Sequence, residues 1–134
     1  SNKLEQSLAD FGFALGQAFQ ITDDWLDYSG QDGSLGKNLG DDLAEGKVTL
    51  PLILALQAAG AEDREFLTGT IQAGGTDQLN RVRKILKKTG ALDDARQRAV
   101  RFSERACASL APLRPSPERN SLELLARFAV DRSL

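Results

Sequence analysis

No methionine occurs anywhere in the 134 residues, and cysteine occurs once, at Cys107. A lone cysteine excludes an internal disulfide framework and fits a reducing compartment, so a cytoplasmic location is expected. Without methionine, residue 1 is not a translation start. Ser1-Asn2 reads as a tag remnant and the chain as a piece of a longer protein. Long apolar runs are missing too. The longest candidate, VTLPLILAL at 48–56, carries a proline. It falls well short of the roughly 20 residues a membrane span needs, so no integral membrane protein is expected. Neither sign of charge dominates: 17 Lys and Arg face 19 Asp and Glu, a net charge of −2. That balance argues neither for nucleic acid nor for an anionic membrane as partner. Alternating apolar and polar residues, internal repeats and low-complexity tracts are also absent. At this length one compact domain is the default, able to bury about two thirds of its unfolded surface.

What is present is helical periodicity. Leu4, Leu8, Phe11, Leu15, Phe19 and Leu26 recur at spacings of three, four and seven, which predicts one long helix over Lys3 to Tyr28 with these residues as its apolar stripe. Ser29 to Gly40, broken by Gly30, Gly33, Gly36 and Gly40, reads as a loop. Asp42 with Glu45 resembles a capping box. Thr49 to Leu56 continues helically, with Pro51 tolerable in a first turn. Further helices are expected at 62–73, 76–89 and 91–111, with Gly90 and Pro112 as stops. A last helix over 117–131 should be capped by Ser116 ahead of Pro117. The fold class is all-α.

The stretch FQITDDWLDY, residues 19–28, places three aspartates inside this first helix. With Gln20 at 0° and 100° per residue, Asp24, Asp27 and Asp23 fall at about 40°, −20° and −60°, one compact face. Gly16 and Phe13 lie on the same side, a turn or two earlier. Aspartate in a helix interior costs roughly 0.5–0.7 kcal/mol against alanine, and like charges one turn apart cost about 0.2–0.5 kcal/mol more. The macrodipole also disfavours anions towards a helix C-terminus. A divalent cation would reverse the last two penalties, and short carboxylates suit Mg²⁺, which shares its shell with phosphates and water. Two readings stay open here, a plain solvated acidic face and a metal or diphosphate site.

The following segment, GKNLGDDLAEGKVTLP, adds Lys37 and Lys47 among glycines. From Asp23 to Lys47 there are seven acids and only these two lysines. Carboxylates alone would repel a diphosphate, whereas carboxylates carrying Mg²⁺ beside two lysines can hold one.

LGQAFQITDDWLDY followed by LGKNLGDDLAEGKVTLPLI resembles the second aspartate-rich region of the trans-isoprenyl (polyprenyl) diphosphate synthases, nearest the bacterial octaprenyl type. The match runs from about Leu15 to Ile53. The resemblance implies the C-terminal helices of an isoprenoid-synthase-type bundle and a full-length homodimer. It implies a Mg²⁺-dependent head-to-tail condensation of isopentenyl diphosphate with an allylic diphosphate. It further implies metal ligation by Asp23, Asp24 and Asp27, and allylic-diphosphate contact by Lys37 with Gln20 facing that substrate. Lys47, Asp41 and Asp42 lie in the matching loop, Lys47 as a substrate contact. Phe13 and Gly16 would line the cavity beyond the diphosphate.

The family's first aspartate-rich motif has no counterpart, since neither Asp41-Asp42 nor Asp93-Asp94 has an aspartate three residues on. The chain therefore reads, over 1–134, as the C-terminal portion of one synthase domain, inactive by itself. The alternative is a short non-catalytic subunit that binds and regulates a synthase. Trp25, Tyr28 and Cys107 read as packing residues. The bases between Arg81 and Arg105 read as a solvated face, and Gly12 with Gly16 as close helix packing or cavity room. Arg132 near the C-terminus is a further candidate for reaching a substrate diphosphate.

Overall fold

The computed structural model describes residues 2–30 and 39–132. Seven helices and no strand occur among them: α1 Asn2–Ser29, α2 Asp41–Ala44, α3 Leu50–Ala58, α4 Ala61–Ala73, α5 Leu79–Lys88, α6 Ala91–Ser109 and α7 Pro117–Val130. The all-α expectation holds. The chain divides into two units, Ser1–Thr22 with Gln97–Leu134, and Asp23–Arg96, the divisions falling within α1 and α6.

In the first unit α1 buries Ser7, Phe11, Ala14, Ala18 and Ile21. The predicted stripe holds in part: Phe11 is buried and Leu15 packs against the core, while Leu4, Leu8 and Phe19 are exposed. Hydropathy weights large side chains, but this core is built on small ones. Ala14, Ala106 and Ala126 pack with Phe11 and Leu110, and short side chains let helices approach closely at interior packing density. Ser103 on α6 donates to the carbonyl of Ala126 on α7 at 2.8 Å, so the buried hydroxyl is satisfied. Ser116 caps α7 as expected, its hydroxyl accepting from the Arg119 amide at 3.0 Å. Cys107 is half-buried against this core, its thiol donating to the Glu123 carbonyl at 3.9 Å. Among the described residues Gly12 and Gly16 take no part in close helix packing: a Cβ on either would meet nothing within 4 Å.

In the second unit, Tyr28, Leu43, Leu52, Leu67, Val82 and Leu86 form the centre of the core. Pro51 sits in the first turn of α3, where its missing N–H costs no helical bond. The expected helix at 76–89 is shorter in the structure. Residues 76–78 turn first, the Leu79 amide donating to the Thr76 carbonyl at 3.1 Å. Trp25 packs against this core beneath the Arg96 guanidinium, which stands 5.2 Å from its ring centroid.

Leu52 is fully buried. Leu52→Ala is expected to cost about 2–5 kcal/mol, read as a lowered urea midpoint in denaturation followed by circular dichroism. Tyr28 is also fully buried, and its hydroxyl finds no hydrogen-bond partner among the described residues. Burial first, then the carboxylates of Asp27, Asp42 and Asp24, push its ionisation well above the ordinary value. A raised pKa stabilises the fold fully below the unfolded value of about 10, and that contribution declines as pH climbs past it. Tyr28 is the chain's one tyrosine. Tyrosinate absorbance should therefore appear near pH 10 in denaturant and only at markedly higher pH in the native chain; coincident titrations would contradict the buried placement.

Candidate functional site

The aspartates stand on the last two turns of α1. Asp23 and Asp24 are half-buried, and Asp27 is buried, 3% exposed. Asp27 has a defined duty. Its Oδ2 accepts the backbone N–H of Asp42 at 3.2 Å, and its carbonyl accepts the N–H of Gly40 at 2.9 Å. The chain that leaves α1 thus returns to it and starts α2 against it.

Two glycines bracket α2. Gly40, with φ 81°, is its N-cap, and no side chain caps it locally. The predicted Asp42–Glu45 capping box is therefore corrected: Asp42 lies within the first turn, and the capping carboxylate comes from α1. The left-handed backbone at Gly40 favours glycine, and a Cβ there would also crowd the Leu79 side chain at 3.0 Å. At the other end the Gly46 amide donates to Leu43 (3.0 Å) and the Lys47 amide to Asp42 (2.9 Å). With Gly46 at φ 74°, this is the paired 5→2 and 6→1 bonding of a Schellman motif. The motif fixes where Lys47 emerges.

The Lys47 ammonium lies 3.2 Å from Glu45 and 4.0 Å from Asp42. Its pKa is raised, chiefly by the hydrogen bond to Glu45, then by the charges of Glu45, Asp42 and Asp24. Lys47 stays cationic at neutral pH and is solvent-exposed. In the second unit the structure therefore brings together Asp24, Asp27, Asp42 and Lys47. Lys37 lies outside the described residues. In the first unit Gln20, Phe13 and Gly16 are all exposed on α1. Arg132 donates to the Phe19 carbonyl at 3.2 Å, with its guanidinium 4.3 Å from that ring's centroid.

The donor set is all oxygen, which suits a hard divalent cation rather than a thiophilic metal. Among the described residues, no three carboxylates converge closely enough to hold an ion by themselves. The sequence reading missed the Schellman turn and the α1 capping of α2. Gly46 directly after Glu45, four residues past Asp42, was the available signal for the first.

Comparison with known proteins identifies the family. The polyprenyl synthetase family model matches residues 1–89. The chain is 46% identical over 127 residues to the all-trans-nonaprenyl-diphosphate synthase (geranyl-diphosphate specific) of Rhodobacter capsulatus, covering 95% of this chain and 39% of that protein. It is 42% identical over 129 residues to the octaprenyl diphosphate synthase of Escherichia coli, covering 96% and 40%. The polyprenyl synthase of Caulobacter crescentus, solved with calcium and isoprenyl diphosphate, superimposes with a TM-score of 0.90 at 40% identity, covering 100% of this chain and 42% of that one. The chain thus spans about 40% of the length of the relatives it matches. A family match over well more than half its length, joined to the same fold at 40% identity, means that the chain belongs to the polyprenyl synthetase family.

Proposed function

We propose that the chain is the diphosphate-gripping C-terminal part of a prenyl diphosphate synthase. This prenyltransferase would extend an allylic diphosphate with isopentenyl diphosphate to an all-trans, octaprenyl-like product. Its working form would be a full-length cytoplasmic homodimer. What carries the reading is the return of the acidic segment onto α1: Asp42 bonds Asp27, and Lys47 emerges one turn later.

In this reading Asp23, Asp24 and Asp27 offer carboxylate oxygens to Mg²⁺, Asp27 while also holding α2. The cation, when bound, neutralises charge that builds on the departing diphosphate. Lys37 and Lys47 place fixed positive charge against the same oxygens and need transfer no proton. Gln20 orients the allylic diphosphate by hydrogen bonding. The allylic C–O bond breaks with its electron pair leaving on diphosphate; the isopentenyl double bond then forms the new C–C bond, and a proton is lost. Phe13 and Gly16, exposed on α1, give the hydrocarbon an apolar and uncrowded wall that keeps water from the cation.

Titration calorimetry with inorganic diphosphate tests the grip. Binding should require Mg²⁺ and weaken by roughly tenfold or more in Asp23→Ala and in Lys37→Ala, about 1.4 kcal/mol each. Asp93→Ala should match the wild type, and unchanged affinity in both site variants would overturn the assignment. The 134-residue chain alone should yield no product above background from labelled isopentenyl diphosphate; clear turnover would show that nothing further is needed.

A further inference from the structure

Charge in the second unit is sorted onto one helix. α5 carries Arg81, Arg83, Lys84, Lys87 and Lys88 within ten residues and no acid. Of the chain's 17 bases that leaves 12 to face all 19 acids. The net charge of −2 therefore averages a strongly basic helix with a strongly acidic remainder, and says little about either. Val82, Ile85 and Leu86 are buried, so the apolar side of α5 is used up in the core. At about 100° per residue the five bases spread over an arc of roughly 160° on the opposite side.

Two of the five are engaged. Arg81 stacks on Phe66 at 3.8 Å, and Lys88 pairs with Asp63 at 3.0 Å. Arg83, Lys84 and Lys87 make no ion pair or hydrogen bond among the described residues. Lys84 and Lys87 are exposed, and Arg83 is half-buried. Lys87 borders a cleft of about 400 Å³ with Trp25, Ser29, Leu92 and Asp93. Arg83 and Lys87, like Lys84 and Lys88, stand one turn apart, an arrangement that weakens a helix in water. A dense anionic surface reverses that penalty.

We propose that this face of α5 docks the protein on an anionic bilayer. The choice of partner rests on the function proposed above: a long polyprenyl chain is a hydrocarbon that leaves water for a bilayer. A protein held there by charge would release it where it is soluble. The outer face of α5 has no aromatic residue on which nucleic-acid bases could stack. Because the apolar side is buried, attachment is electrostatic and peripheral, hence salt-sensitive.

Vesicle co-sedimentation of the purified chain, without substrate, tests this. The chain should bind phosphatidylglycerol-containing vesicles, bind pure phosphatidylcholine vesicles far more weakly, and be released by high salt. Each base near such a surface contributes about fivefold. The triple variant Arg83→Gln, Lys84→Gln, Lys87→Gln should thus lose roughly a hundredfold in partitioning while keeping its helical circular dichroism. The charge-preserving variant Arg83→Lys, Lys84→Arg, Lys87→Arg should bind like the wild type. Equal binding to both vesicle types, undiminished binding by the glutamine variant, or binding to single-stranded RNA in place of vesicles would each overturn the proposal. Because no diphosphate is present, such a failure is separate from any failure in the calorimetry.

Discussion

The bond from the Asp42 amide to the Asp27 carboxylate spans fifteen residues of sequence and closes the segment that leaves α1. A hydrogen bond to a charged group is worth about 1.5–3 kcal/mol, and here the acceptor is 3% exposed. Without it α2 has no side-chain cap, since its own N-cap is a glycine. A four-residue helix cannot support itself. The placement of Asp42, the Gly46 turn and Lys47 all follow from that contact.

The same arrangement makes the charge balance intelligible. Asp24 and Asp42 act on both Lys47 and Tyr28. Their negative potential adds to the Glu45 hydrogen bond in keeping Lys47 cationic, and adds to burial in keeping Tyr28 neutral within the core. A bound cation would enter a field already negative, while Lys47 offers the opposite sign to any anion that accompanies it. In the function proposed above, acids and base so disposed would recognise a metal–diphosphate pair better than either component alone.

Much of this was legible in the sequence. The helix periods, the Ser116 cap and the acidic face could be read because each depends on residues close in sequence. The buried face of α1 was misplaced in part because Ala14 and Ala18, rather than Leu4 and Leu8, join Phe11 in its core, and hydropathy undervalues a side chain whose merit is small size. The capping box failed for a different reason. Asp42 and Glu45 have the right spacing, but a carboxylate fifteen residues upstream takes the amide instead. Long-range satisfaction of backbone donors leaves no local pattern. Net charge misled in the same way, hiding the segregation of bases onto α5.

The packing of Trp25 has an optical consequence. It is the chain's one tryptophan, adjacent in sequence to Asp24 and lying under the Arg96 guanidinium. Its indole emission is therefore a built-in gauge of the local electric field, free of background from any other indole. In the function proposed above, cation arrival at the neighbouring carboxylate would be followed on the unlabelled chain by the colour of its fluorescence.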